Sequence, residues 1–179
     1  VLFALLDLQK QKKIIIKKDI YAFDINDRLI ELYKHIQNES TRFLLYSNIK
    51  HYFNSYNNIE KETITINLED ELETDTETIN TKEKYFYYIR NEFNKLKKNK
   101  YDFNNELNLK CSAMFYFLNK TCFRGLYREG PKGFNVPYGH YKKTPEHISL
   151  SEINKISELI KNVNFICLDF QESIKKIKK

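Results

Sequence analysis

All the glycines and prolines of this chain lie in one short window. The four glycines and three prolines fall between Gly125 and Pro145, and neither type occurs elsewhere. Gly and Pro supply backbone conformations that other residues reach only at an energetic cost. The sequence therefore predicts one irregular, tightly turned object in this window, between segments that are free to form regular helices and strands.

The same window concentrates positive charge and aromatic rings. Residues 120–143 hold six lysines and arginines against the single acid Glu129, which gives a net charge of about +5. The aromatic residues there are Phe123, Tyr127, Phe134, Tyr138 and Tyr141. Positive charge, aromatic faces and turns together are typical of a nucleic-acid contact surface.

Charge is unevenly distributed over the rest of the chain. The formal net charge of +6 and the pI of about 9.0 favour a polyanionic partner. The abundance of Lys, Asn and Ile is equally consistent with an AT-rich gene. Residues 60–82 contain eight acids against Lys61 and Lys82, a net charge of −6. This composition predicts an acidic, mobile insertion over residues 58–82.

Several classes of protein are disfavoured. No glycine precedes Gly125, so either the protein uses no nucleotide-type cofactor or the segment with the glycine-rich loop is missing. The only methionine is Met114, and we expect the chain to begin inside a longer protein. Three cysteines without a CxxC pair favour reduced thiols in an intracellular compartment and argue against zinc. No apolar run approaches the roughly 20 residues that span a bilayer.

Hydrophobic patterns predict two buried strands and several helices. The strands are expected at 19–23 and 163–168, and Asn26 or Asp27 can cap the helix after the first one. Ser149 and Glu152 fit a capping box. Further helices are expected at 1–9, 40–56, 84–96, 105–118, 149–162 and 171–177. This order predicts an α/β sheet interrupted by an inserted, mostly helical unit.

Two runs carry a family resemblance. Phe117-Leu-Asn-Lys-Thr-Cys-Phe-Arg-Gly-Leu-Tyr-Arg128 and Lys132-Gly-Phe-Asn-Val-Pro-Tyr-Gly-His-Tyr-Lys142 resemble the target-recognition segment of Dam-type (D12 class) N6-adenine DNA methyltransferases. The runs 24–33, 87–94 and 165–170 are similar to other parts of that family, in the same order. The resemblance covers nearly the whole chain except the acidic insertion.

The resemblance implies a partial Rossmann-like, S-adenosylmethionine-dependent methyltransferase sheet interrupted by a mostly helical DNA-recognition insertion with a β-hairpin. Residues 1–38 and 148–179 would belong to the cofactor-binding α/β domain. Residues 39–147 would form the recognition region, with a DNA-contacting hairpin at 119–143. The implied reaction transfers a methyl group from S-adenosylmethionine to adenine N6 in duplex DNA, at a GATC-like site.

Two signatures of the family are absent from the sequence. Neither the glycine-rich cofactor loop nor the catalytic tetrapeptide Asp-Pro-Pro-Tyr occurs. We therefore expect an internal portion of such an enzyme, inactive alone and completed by the missing flanking segments. It is expected to be a monomer without membrane association, in the cytoplasm or, if viral, inside the host cell.

Two residues are candidates for cofactor binding. Asp24 follows the first strand, where a carboxylate can accept hydrogen bonds from ribose hydroxyls, and the resemblance implies that role. Its alternative role is a helix cap. Phe170 follows the second strand, where it could pack on the cofactor's adenine ring or belong to the core.

The resemblance also implies DNA-contacting residues. Arg128 would bond guanine O6 and N7, with a phosphate-bound or surface arginine as the alternative. Leu126 and Pro137 would contact a thymine methyl group. Phe123 would enter the base stack when the target adenine is extruded, or else be a buried hairpin aromatic. Residues suited to packing or backbone contacts are Asn119, Lys120, Tyr138, Tyr141, Lys142 and Lys143.

One position departs from the family pattern. Arg124 stands where the family commonly has Asn before a Gly-Leu pair, and its added charge is expected to strengthen phosphate binding or alter site preference. The dispersed histidines suggest no catalytic dyad or triad, so no catalytic residue is assigned within the chain. The alternative function is a non-catalytic DNA-binding protein derived from such an enzyme.

Overall fold

The computed structural model describes residues 1–59, 64–70, 73–79, 81–97 and 105–177. The helices are α1 (Leu2–Lys10), α2 (Asp27–Gln37), α3 (Glu39–Asn58), α4 (Lys82–Lys97), α5 (Glu106–Thr121), α6 (Leu150–Ile160) and α7 (Phe170–Ile177). The strands are β1 (Ile20–Asp24), β2 (Ile64–Asp70), β3 (Glu73–Ile79), β4 (Glu129–Gly130), β5 (Gly133–Phe134) and β6 (Val163–Cys167). This mostly helical architecture with a small parallel sheet confirms the α/β class.

The parallel sheet consists of β1 and β6. Asp24 lies opposite Cys167 at the carboxyl ends of the two strands. Val163 and Phe165 are buried and the residue between them is exposed, the alternation of a strand that is covered on one face. A parallel pair needs a crossover connection, which residues 25–162 supply. Both predicted strands are confirmed, and their carboxyl ends meet at one edge of the sheet.

The predicted side-chain caps are present at the starts of α2 and α6. Asn26 accepts hydrogen bonds from the backbone N–H groups of Arg28 (3.1 Å) and Leu29 (3.2 Å) at the start of α2. At the start of α6, the Ser149 hydroxyl accepts from the Glu152 N–H, and the Glu152 carboxylate accepts from the Ser149 N–H. Both caps satisfy N–H groups that lack a partner within the helix, and both are confirmed predictions.

Aromatic side chains of α3, α4 and α5 form the centre of the core. Phe117 of α5 is fully buried. The rings of Phe53, Tyr56 and Tyr85 meet it edge-on, at centroid distances of 5.2, 5.5 and 5.8 Å. Such edge-to-face pairs contribute about 0.5–1.5 kcal/mol each beyond the area they bury. Phe117 therefore joins the three helices of the bundle.

Buried polar contacts join this bundle to the helix that follows β1. An Arg28 Nη1 donates to Asn108 Oδ1 at 3.2 Å, and the Asn108 amide donates to the Glu31 carboxylate at 3.0 Å. His35 and Ser112, both buried, are 2.9 Å apart between Nδ1 and Oγ. These contacts fix α2 against α5. His35 therefore has a structural role in the packing of the two helices.

The acidic segment contains two strands, which the prediction of an acidic, mobile insertion did not include. Within residues 58–82, β2 and β3 pair in antiparallel register, with Ile64 opposite Ile79 and Asp70 opposite Glu73. In the sequence, Thr and Ile alternate over residues 63–66, where β2 begins. In β3, Thr occurs at every second position, at Thr74, Thr76 and Thr78. The prediction gave weight to the acids and overlooked this β-branched alternation, which favours strands. Residues 60–63, 71, 72 and 80 lie outside the described residues.

Candidate nucleic-acid interface and nucleoside site

Residues 119–143, called the turn segment below, fold back through backbone hydrogen bonds. The Phe123 N–H donates to the Pro137 carbonyl at 2.8 Å, and the Gly139 N–H donates to the Thr121 carbonyl at 2.9 Å. At the tip, β4 and β5 form a hairpin with two residues in each strand. The hairpin expected here is therefore short, and its arms are mostly irregular.

Side chains of the helical bundle anchor the turn segment. Asn94 of α4 donates to the Phe134 carbonyl at 3.0 Å and accepts from the Phe134 N–H at 2.8 Å. The hydroxyl oxygens of Tyr56 and Tyr138 are 2.6 Å apart. Phe134 and Val136 are buried. Because buried backbone groups need hydrogen-bond partners, Asn94 takes the place that a neighbouring strand would have.

The turn segment also exposes apolar and basic side chains together. Phe123 and Leu126 are 43% and 51% exposed, so the alternative of a buried Phe123 is wrong. The Arg124 guanidinium lies 5.0 Å from the centroid of the Phe123 ring. The predicted contact residues that are exposed are Lys120, Phe123, Arg124, Leu126, Arg128, Pro137, Tyr141, Lys142 and Lys143. Exposed large apolar side chains among cations indicate a binding surface.

Arg128 is held across the hairpin by Asn135. Its Nε donates to Asn135 Oδ1 at 2.8 Å, and its Nη2 lies 3.4 Å from the Asn135 carbonyl oxygen. The Asn135 N–H donates to the Arg128 carbonyl at 3.1 Å. The sequence analysis included Asn135 in its motif without a role. The sequence signal that could have indicated its role is an amide side chain placed opposite an arginine, with a turn containing Gly130 and Pro131 between them.

Two predicted contact residues have internal partners instead. Asn119 is half-buried, and its amide donates to the Gly125 carbonyl at 2.9 Å, which supports the turn. The hydroxyl of Tyr138 is bonded to α3 as described above. We therefore do not retain either as a DNA contact. Tyr141 combines both situations, since its hydroxyl donates to the Cys122 carbonyl at 2.7 Å while its ring is 41% exposed.

Arg124 adopts a left-handed backbone conformation, with φ 55° and ψ 19°, and Gly125 follows with φ 62°. This region is uncommon for residues other than glycine, and Asn tolerates it better than a longer side chain does. Asn is the residue that the family resemblance implies at this position. The departure to Arg124 therefore has a conformational cost as well as an added charge.

The two cofactor candidates lie at the carboxyl edge of the parallel sheet. Asp24 Oδ1 accepts from the Asn26 N–H at 2.8 Å, and the Leu168 N–H donates to the Asp24 carbonyl at 3.2 Å. The cap of α2 is Asn26, so the alternative of Asp24 as the cap is wrong. Phe170 opens α7 and is 78% exposed, so its alternative as a core residue is also wrong. Both residues thus lie at or just after the carboxyl ends of the paired strands, and a carboxylate at such a place can accept hydrogen bonds from ribose hydroxyls.

A cavity of about 330 Å³ lies between the start of α2 and the base of the turn segment. Asn26 and Tyr33 line it from the α2 side, and Asn119 and Tyr127 line it from the other. Burial, and then the nearby Asp27 carboxylate, raise the pKa of the Tyr127 hydroxyl to about 12. The Tyr127 hydroxyl therefore keeps its proton well into the alkaline range.

Within the described ranges, no three His, Cys, Asp or Glu side chains come together as metal ligands. No helix in that part of the chain is long and apolar enough to cross a membrane. Cys111 and Cys122 are buried, and Cys167 is exposed.

Comparison with known proteins identifies the family. The family model for D12 class N6 adenine-specific DNA methyltransferases matches residues 8–179. The chain belongs to this family.

Named relatives of this D12 class chain are DNA methyltransferases. It is 38% identical over 173 residues to the Type II methyltransferase M.MjaIII of Methanocaldococcus jannaschii, a match that covers 96% of this chain and 48% of the relative. It is 34% identical over 98 residues to the retron Ec67 DNA adenine methylase of Escherichia coli, covering 54% and 31%. It is 32% identical over 148 residues to the DNA N-6-adenine-methyltransferase of Escherichia phage P1, covering 82% and 15%. The D12 class chain thus spans about half the length of these relatives or less.

We expect Arg124→Asn to stabilise this D12 class chain relative to Arg124→Ala by about 0.5–1 kcal/mol, because Asn adopts the left-handed conformation more readily. Both variants lose the guanidinium over the Phe123 ring, so their comparison isolates the backbone term. Urea unfolding would measure the difference. Equal stability of the two variants would contradict the strained backbone.

Alkaline pH should weaken the turn segment through Cys122. Burial raises the pKa of its thiol from 9.0 to about 11, and the thiol donates to the Leu126 carbonyl at 3.3 Å. Between these values the unfolded state binds fewer protons than the folded state, so stability falls as pH rises. The stability of the wild type relative to Cys122→Ser should therefore drop by about 1 kcal/mol between roughly pH 8 and 10. A difference independent of pH, in urea titrations at both values, would refute this.

Proposed function

We propose that this chain carries the DNA-reading region and part of the cofactor-binding domain of an adenine N6 methyltransferase. The enzyme would act on duplex DNA at a GATC-like site. The family assignment supports the reaction. The observation that carries the reading role is the turn segment, which exposes Phe123, Leu126 and Arg128 on a backbone anchored by Asn94. In this proposal residues 39–147 form the reading region, and the cofactor domain includes the residues on either side.

The exposed side chains would divide the reading of DNA between them. Arg128 would bond guanine O6 and N7 in the major groove. Leu126 and Pro137 would contact a thymine methyl group. Phe123 would fill the space in the base stack when the target adenine is extruded. Phosphate contacts that fix register would come from Lys120, Arg124, Tyr141, Lys142 and Lys143.

The carboxyl edge of the sheet fits S-adenosylmethionine. When bound, this cofactor supplies the methyl group. The carboxylate of Asp24 would accept hydrogen bonds from its ribose hydroxyls, and the exposed ring of Phe170 would cover its adenine. This juxtaposition favours an enzyme over the alternative of a non-catalytic DNA-binding protein, which has no need of a nucleoside site.

The chemistry would require residues beyond those of this sequence. The tetrapeptide Asp-Pro-Pro-Tyr, which the family resemblance implies for the transfer, does not occur, and no two prolines are adjacent. We propose that the chain alone binds DNA and transfers little or no methyl. We further propose that it is monomeric and acts inside a cell, where its DNA substrate lies.

The reading role predicts a preference that depends on Arg128. We expect about tenfold tighter binding of a GATC-containing duplex than of a scrambled duplex of equal composition, since one bidentate arginine contact discriminates by about 1–3 kcal/mol. Arg128→Ala should reduce that ratio nearly to one. Lys132→Ala, a matched loss of charge at the exposed tip, should leave the ratio unchanged.

Fluorescence anisotropy at two salt concentrations would measure both affinities, and binding to either duplex should weaken as salt rises. Equal affinity of the wild type for the two duplexes would overturn the reading role. An Arg128→Ala variant that keeps the preference would overturn the assignment of that residue.

A further inference from the structure

We propose that Asn135 is a positioning residue that aims Arg128 at guanine, and that Gly130 is a glycine in order to leave room for it. This inference rests on the proposed reading role of Arg128. It adds Asn135 as the residue that determines how well Arg128 discriminates guanine from other bases. It also adds Gly130 as the position next to that side chain.

The contacts with Asn135 use the edge of the Arg128 guanidinium formed by Nε and Nη2. They leave the end formed by the two terminal nitrogens available for a base. The Nε of Arg128 is bonded to Asn135 Oδ1 at 2.8 Å, and Nη2 approaches the Asn135 carbonyl. These contacts do not use the end of the guanidinium formed by Nη1 and the second hydrogen of Nη2. That end can make the two parallel bonds that guanine O6 and N7 accept. An arginine that is ordered before DNA arrives also loses less side-chain entropy on binding.

The character of the acceptor supports this role. Asn135 is neutral, so it orients the guanidinium without cancelling the positive charge that attracts DNA. The carboxylate of the neighbouring Glu129 is directed elsewhere, where it accepts a hydrogen bond from the Tyr127 hydroxyl. Arg128 is therefore held by an amide although an acid lies next to it in sequence.

Gly130 lies beside the Asn135 amide, so a side chain at position 130 offers a way to displace that amide. A Cβ at position 130 would lie 2.7 Å from Asn135 Nδ2, well inside a normal contact distance. The glycines with positive φ among the described residues are Gly125 and Gly133. Gly130 is not one of them, and the side chain next to it in space is the Asn135 amide.

The test compares affinities for two duplexes that differ in one ring atom. One is the GATC duplex, and the other has 7-deazaguanine in place of its guanine, which removes the N7 acceptor. The ratio of the two dissociation constants, called the guanine discrimination below, should be about tenfold for the wild type and near one for Arg128→Ala. A general loss of folding weakens binding to both duplexes and leaves this ratio unaffected.

Three variants then isolate Asn135. Asn135→Ala should lower the discrimination at least about threefold while its affinity for a scrambled duplex stays within about twofold of wild type. Asn135→Asp keeps an acceptor at the same place and should retain the discrimination. Gly130→Ala, which displaces the amide without removing it, should lower the discrimination as Asn135→Ala does.

The outcomes separate this inference from the function on which it rests. If Arg128→Ala abolishes the discrimination and Asn135→Ala preserves it, the positioning role is overturned and the reading role stands. If Asn135→Asp loses the discrimination as fully as Asn135→Ala, the hydrogen-bond acceptor is not what matters, and the inference is again overturned. If the wild type shows no discrimination, or Arg128→Ala retains it, the reading role and the inference both fall.

Discussion

The turn segment has too little regular structure to satisfy its own buried backbone, and the rest of the molecule is arranged around that constraint. Its strands are only two residues long, so Asn94 of α4 supplies both hydrogen bonds that Phe134 lacks. Tyr56 of α3 adds a side-chain anchor through the hydroxyl of Tyr138. Both helices are placed by aromatic packing around Phe117. The bundle therefore serves as the frame that fixes where the exposed side chains of the turn segment stand.

The parts of the fold that the sequence could predict are those with a local physical signature. Strand alternation, the Asn26 and Ser149 caps, and the Gly/Pro window all act within a few residues, and the structure contains each. Local reasoning did not predict the two strands of the acidic segment, because it weighed charge above β-branched alternation. The anchors could not be predicted, since the bond between Asn94 and Phe134 joins positions 40 residues apart and leaves no periodic pattern.

The candidate site was predictable in position and less so in detail. The resemblance selected the segment, but exposure divides its residues into those that face solvent, such as Arg128, and those that hold the turn, such as Asn119. One cavity is lined both by Asn26, at the start of α2, and by Asn119 and Tyr127 of the turn segment. The proposed function needs the reading surface and the cofactor site to be near each other, because an extruded base must reach the bound cofactor.

The measurement that tests this account most directly is a map of backbone amide chemical shifts, recorded by NMR as a duplex is added. The chain offers a second cationic groove, lined by Lys10, Lys17, Lys18 and Lys161, so charge alone does not decide where DNA binds. The account predicts shifts concentrated at 123–128, at Asn135 and at 140–143, with little change at 10–18. Shifts centred on 10–18, with the turn segment unaffected, would contradict it.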